Sequence, residues 1–153
     1  MSNVPAESRK KTPLQAIVNG RTLCKHTLHI LANNKVFRAT PTGDAEEDAA
    51  NPPQPELVAK IRETTLDAYM AAYAANNTPF TADNYRHRRQ LQDKSISKLN
   101  DLLALIELAA VVFHLPGRRV HHWTDITCLV RNQTQAWKES DYGRYRRLRA
   151  KGR

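Results

Sequence analysis

Residues Leu102 to Phe113 read LLALIELAAVVF, and Glu107 is the only polar side chain among them. A helix that packs one face on its own subunit carries an apolar stripe and a polar remainder, so a stretch apolar nearly all round is covered on several sides. A bilayer span needs about 20 apolar residues, and here Asp101 and His114 close the stretch off. The reading is therefore the buried half of a long central helix. The chain's own helices enclose part of it and a second subunit another part, which makes Leu105, Leu108, Val111 and Val112 the candidate oligomer interface.

Working outward, Thr81 is a good N-cap for this helix, which is expected over 81–114 at a length of about 50 Å. In its first half Tyr85, Ile96 and Leu99 face inward, while Arg86, His87, Arg89, Lys94 and Lys98 crowd the outer surface. Pro116 and Gly117 break it and turn the chain. The next helix, expected over 118–139, carries Val120, Trp123, Thr127, Val130, Thr134 and Trp137 on a heptad seam, with a tryptophan near each end as an anchor. Upstream, Leu14, Ile17, Arg21, Cys24, Leu28 and Leu31 recur at three and four, giving a helix over 13–33 opened by Thr12 and Pro13. Pro55 opens another over 55–76, with Val58, Ile61, Thr65, Ala68 and Ala72, widened by Leu66, Tyr69 and Tyr73, on its buried side. Between them, 38–54 is rich in proline and holds Asp44, Glu46, Glu47 and Asp48; it reads as a long mobile loop without regular structure. Short connections around 78–80 and 115–117 make neighbouring helices antiparallel. The fold class is all-α, an up-and-down four-helix bundle.

The 24 Lys and Arg against 15 Asp and Glu leave a net charge of +9. Such an excess points to a polyanionic partner, with nucleic acid the first choice and an acidic protein surface the alternative. The polar N-terminal stretch MSNVPAESRKKTP has no apolar run of the kind a signal peptide carries, so a cytoplasmic protein without a membrane partner is expected. Residues 1–11 read as a mobile arm bearing Arg9, Lys10 and Lys11. Cys24 and Cys128 lie far apart without metal-type spacing and read as buried thiols.

The strongest functional signal is the closing segment, 141–153, read as a basic tail. Arg144, Arg146, Arg147, Arg149 and Lys151 are interleaved with Tyr142 and Tyr145, a pattern that suits phosphate contacts plus stacking on an exposed base. A solvated tail that keeps the protein soluble is the plain alternative. Arg86, Arg89, Lys94 and Lys98 add charge of the same sign. Arg118 and Arg119 open a helix where the dipole disfavours cations, which suggests an external anion. Glu107 requires a partner, and Arg118 or Arg131 of the same or a neighbouring subunit is expected to supply it. His114, His121 and His122 cluster around the Pro116 turn, but their spacing argues for helix-end and surface roles over a metal site, and no cofactor is expected. Arg21 and His26 have the R-x4-H spacing of helical ribonucleases. Five residues put them on different faces, so Arg21 is expected to pair with Glu63 or Asp67 instead.

From Tyr85 to Tyr145 the phrases LLALIELA, FHL, RRVHHW and AWKESDYGRY resemble the accessory variability determinant (Avd) proteins of diversity-generating retroelements, a four-helix-bundle family found beside reverse transcriptases. More distantly, the chain is similar to bundle proteins encoded in intervening sequences of bacterial large-subunit ribosomal RNA genes. The resemblance implies a small basic bundle assembled as a barrel-like homo-pentamer. It implies binding to RNA or DNA and a reverse transcriptase partner whose cDNA synthesis the bundle assists, with no catalytic residue of its own. The acidic loop and the helix after it match nothing in this family.

Overall fold

A computed structural model of the chain describes residues 14–152. Its helices are α1 (Gln15–Leu31), α2 (Ala45–Ala50), α3 (Pro55–Asn77), α4 (Tyr85–Val112) and α5 (Gly117–Lys151), with no strand among the described residues. None of these helices is long and apolar enough to cross a membrane. The expected arm with Arg9, Lys10 and Lys11, and the Thr12–Pro13 helix start, lie outside the described residues.

The four long helices form an antiparallel ring in which α1 touches α3 and α5, and α4 touches the same two. Directions follow from paired contacts. Asn19 donates to Gln133 at 2.9 Å and Trp123 Nε1 donates to Thr27 at 3.1 Å, so α1 and α5 run oppositely. Ser95 donates to the Ala68 carbonyl at 2.8 Å and Arg88 to the Ala75 carbonyl at 3.3 Å, and Arg131 donates to Asn100 at 3.3 Å while Lys138 pairs with Asp93 at 2.5 Å, so α4 runs opposite to both α3 and α5. The core holds Leu23, Ile61, Leu99, Leu102, Ile106 and Trp123, and Trp137 anchors a smaller cluster with Ala16, Ile17, Ala72 and Ala75.

On α4 the buried positions are Tyr85, Arg88, Gln92, Ser95, Leu99, Leu102, Ile106 and Ala109, a strict three-four alternation. The stretch that looked apolar all round therefore divides. Leu102, Ile106 and Ala109 are buried, and Leu105 and Val112 are half-buried against the same core. Leu108 and Val111 remain 50% and 73% exposed. Glu107 is exposed beside them and makes no ion pair among the described residues, so the expected pairing with Arg118 or Arg131 does not occur within one subunit. Its carboxylate is open to solvent, so no buried charge needs compensation.

Thr81 accepts from the Asn84 N–H at 3.1 Å, but 82–84 form a turn and α4 proper starts at Tyr85. At the other end His114 stands at φ 52°, and the Leu115 N–H reaches the Ala110 carbonyl at 3.1 Å, a Schellman closure with histidine at the left-handed position usually held by glycine.

Two segments differ from expectation. The acidic loop carries α2, whose N-cap Asp44 accepts from the Glu46 and Glu47 N–H groups. Its anchor is Arg38, 2% exposed, which pairs with Asp48 at 2.6 Å and Glu47 at 3.6 Å. Beside it Phe37 is fully buried between the rings of Phe113 and Trp123. The acidic residues gave the loop its unstructured look in the sequence, and one buried arginine gathers two of them. The second difference is α5, which runs past Ser140 to Lys151, so the expected tail is helix. Asp141 takes the next seam position after Trp137 and is 1% exposed. Its oxygens accept from Arg88 Nε at 2.6 Å, Arg88 Nη2 at 3.4 Å and Gln92 Nε2 at 2.8 Å. Arg88 Nη1 also donates to the carbonyls of Ala75 and Thr78, tying in the end of α3.

Removing one partner of a buried ion pair leaves the other charge unsolvated, at a cost of about 3–5 kcal/mol. Asp141→Ala should lose stability on that scale in urea denaturation, and Asp141→Asn less. If Asp141→Ala and wild type unfold together, the pair does not hold α5. The α2 segment held by Arg38 should also respond to acid. The Thr42 backbone N–H, opposed by burial and helped by the Thr42 hydroxyl, Arg38 and the Gly43 backbone, holds the Asp48 carboxyl below its ordinary value. A lowered carboxyl stabilises the folded chain above its unfolded pKa of about 3.9, and that contribution is lost as pH falls through the folded value. Asp48→Asn should therefore be less stable than wild type at neutral pH, with the gap closing in strong acid.

Candidate nucleic-acid interface

Spacings that were irregular in a tail become two stripes on a helix. Tyr142, Tyr145, Arg146 and Arg149 fall at i, i+3, i+4 and i+7, and line an open groove of about 390 Å³ with Ala150. On the other flank Arg144, Arg147, Leu148 and Lys151 line a second groove of about 350 Å³ with Phe80. Arg146 to Ala150 are all exposed. Arg144 has a carboxylate partner, Asp141 at 3.5 Å; Arg146, Arg147, Arg149 and Lys151 have none among the described residues. Cations in the last turn also suit the negative end of the helix dipole, which helps the segment stay helical.

The aromatic rings are used differently from expectation. Tyr145 stacks on Tyr85 with centroids 3.9 Å apart and planes 8° apart, so one of its faces is closed to an incoming base. Arg149 lies over the Tyr145 ring at 5.8 Å. Tyr142 is flanked by Arg89 at 5.8 Å and Arg146 at 5.9 Å, and Arg144 sits over Phe80 at 4.0 Å. These rings hold guanidinium groups in place. The arrangement presents a fixed lattice of donors to phosphate oxygens, and its base-stacking capacity is reduced.

Of the other sequence-predicted residues, Arg89 joins this surface, and Arg86 lies about 60° round α4 from it. Lys94 and Lys98 fall about 140° and 180° round the helix from Arg89, on another side. Arg118 and Arg119 lie at the far end of α5, about 40 Å along the helix from Arg146. One predicted basic surface is thus three separate groups. Sequence reading missed Arg88 and Asp141, which position the arm, because both are charged; continuing the seam from Trp137 by four to Asp141 would have flagged it.

The histidines also separate. His114 is exposed at the end of α4, His121 pairs with Asp125 at 3.2 Å, and His122 packs edge-on against His26 with centroids 5.0 Å apart. No group of three or more His, Cys, Asp or Glu able to hold a metal ion occurs among the described residues. Arg21 is exposed rather than on the seam, and makes no ion pair with Glu63 or Asp67. Burial pushes the Cys24 thiol up to about 11, which keeps it protonated, whereas Cys128 is only half-buried.

No protein-family model matches the chain, and neither curated proteins nor solved structures give a match.

Proposed function

We propose that the chain is a non-catalytic, nucleic-acid-binding accessory protein of the Avd kind, working beside a reverse transcriptase in a diversity-generating retroelement. The observation that carries the binding part is the C-terminal arm of α5, where Arg146, Arg147, Arg149 and Lys151 stand exposed without carboxylate partners among the described residues. Guanidinium groups braced on Tyr142 and Tyr145 lose little side-chain freedom on meeting phosphate, which favours contact with a backbone over reading of bases. RNA and DNA share that backbone chemistry; RNA is the substrate put forward here, because a reverse transcriptase works on an RNA template.

The polymerase link rests on the phrases LLALIELA, RRVHHW and AWKESDYGRY and the family they resemble. Homo-oligomerisation, as a pentamer in that family, is supported by the exposed apolar edge of α4 at Leu108 and Val111, flanked by half-buried Leu105 and Val112. A second copy laid on that edge would remove it from water.

Light scattering coupled to size-exclusion chromatography, with and without a structured RNA at low salt, tests the reading. A homo-oligomer whose mass rises with RNA is expected. Arg146→Ser with Arg147→Ser and Arg149→Ser should keep the oligomer, weaken RNA binding at least about tenfold, and flatten its salt dependence by about three phosphate contacts. RNA binding unchanged in that variant would overturn the assignment to the arm.

A further inference from the structure

At the opposite end of the bundle, His26 and Ile30 of α1 face Pro116, Arg118, Arg119 and His122 at the start of α5 across an open cleft of about 830 Å³. Its walls are of two kinds. Arg118, Arg119, His26 and His122 supply cationic or hydrogen-bonding groups, and Ile30 and Pro116 supply apolar surface. No carboxylate lines it, and neither arginine has an ion-pair partner among the described residues. His121, the neighbouring residue, does not line the cleft and lies 3.2 Å from Asp125.

Two further details mark this cluster of basic groups, whose lining residues have no carboxylate partner among the described residues. His26 Nε2 is buried and makes no hydrogen bond among the described residues. Burial, followed by His122, His29 and Arg119, lowers the pKa of His26, so the ring stays neutral at ordinary pH and its neighbours repel a further charge. The first turn of α5 adds to this, with no acidic residue and no side-chain cap. Its positive dipole end disfavours two arginines that have no anion to meet.

We infer that this cleft binds a nucleoside phosphate, with the phosphate on Arg118 and Arg119 near the His26–His122 pair and the nucleoside against Ile30 and Pro116. Guanidinium forks match phosphate oxygens in pairs. The volume falls within the range of about 300–1,000 Å³ usual for small-molecule sites. The ligand is a free nucleotide or the phosphorylated end of a strand, which present the same chemistry. Because the cleft lies about 40 Å along α5 from the arginines of the arm, the inference stands independently of that surface.

The test titrates the full chain with uridine 5′-monophosphate, uridine, inorganic phosphate, and a short oligouridylate with either a 5′-phosphate or a 5′-hydroxyl. Calorimetry gives affinities, and NMR of the histidine ring protons gives the location. Saturable shifts of His26 and His122, with His87 unmoved, are expected with the monophosphate or with the 5′-phosphorylated strand. Uridine and inorganic phosphate should bind at least about tenfold more weakly. Preference for the monophosphate assigns a free nucleotide; preference for the phosphorylated strand over both the monophosphate and the hydroxyl form assigns a strand end. Arg118→Ser with Arg119→Ser, at one exposed and one half-buried position outside the core, should lower the affinity at least about tenfold without moving the melting temperature. Arg146→Ser with Arg149→Ser should leave monophosphate binding unchanged. Absence of saturable shifts at His26 and His122, equal binding of inorganic phosphate and nucleotide, or binding that survives the Arg118 and Arg119 changes would overturn the inference.

Discussion

The buried pair of Arg88 and Asp141 is the constraint on which the C-terminal end of α5 depends. Both groups are nearly inaccessible, at 7% and 1% exposure, and neither could remain charged there alone. Together with Gln92 and the carbonyls of Ala75 and Thr78 they join α3, α4 and α5 at one point. Arg88 is also packed over the rings of Phe80 and Trp137, at 5.6 and 5.2 Å. Beyond the pair, stacking of Tyr145 on Tyr85 carries α5 one turn further before it leaves the bundle. The exposed arginines are then held in helical register on a projecting arm.

Charge is consequently distributed at two ends of one rod. The 35 residues of α5 span about 52 Å, with Arg118 and Arg119 at its start and Arg146, Arg147 and Arg149 near its close. The middle is occupied by threonines whose hydroxyls donate to the carbonyl four residues back, as Thr127 does to Trp123 and Thr134 to Val130. That internal satisfaction lets polar residues sit in the core without a partner helix. It also lets one helix serve both as a core element and as a carrier for two cationic surfaces.

Much of the bundle was legible in the sequence because apolar spacing is a local signal. Trp123 and Trp137 gave away the α5 seam, and Pro55 and Pro116 marked helix starts. What could not be read were the places where charge replaces apolar contact on the same seam. Arg88, Gln92, Ser95 and Asp141 lie at core positions but look like surface residues, and a charged Asp141 hides the continuation of the seam past Trp137. The loop 38–54 was misread for the same reason: its acidic residues looked solvated, and the burial of Arg38 depends on tertiary packing around Phe37. At the candidate interface, the arginines were visible in the sequence by residue type. Their division between two ends, and the loss of a Tyr145 face to Tyr85, needed the three-dimensional arrangement.

The most direct measurement of whether buried charge builds the arm is native-state hydrogen exchange on the full wild-type chain. If α5 is continuous through the Arg88–Asp141 pair, the amides of Tyr145 to Arg147 should exchange at least about a hundredfold more slowly than in an unstructured chain, equivalent to about 2.7 kcal/mol of local protection. Exchange at unstructured rates from Tyr142 onward would contradict this account and return the segment to a tail.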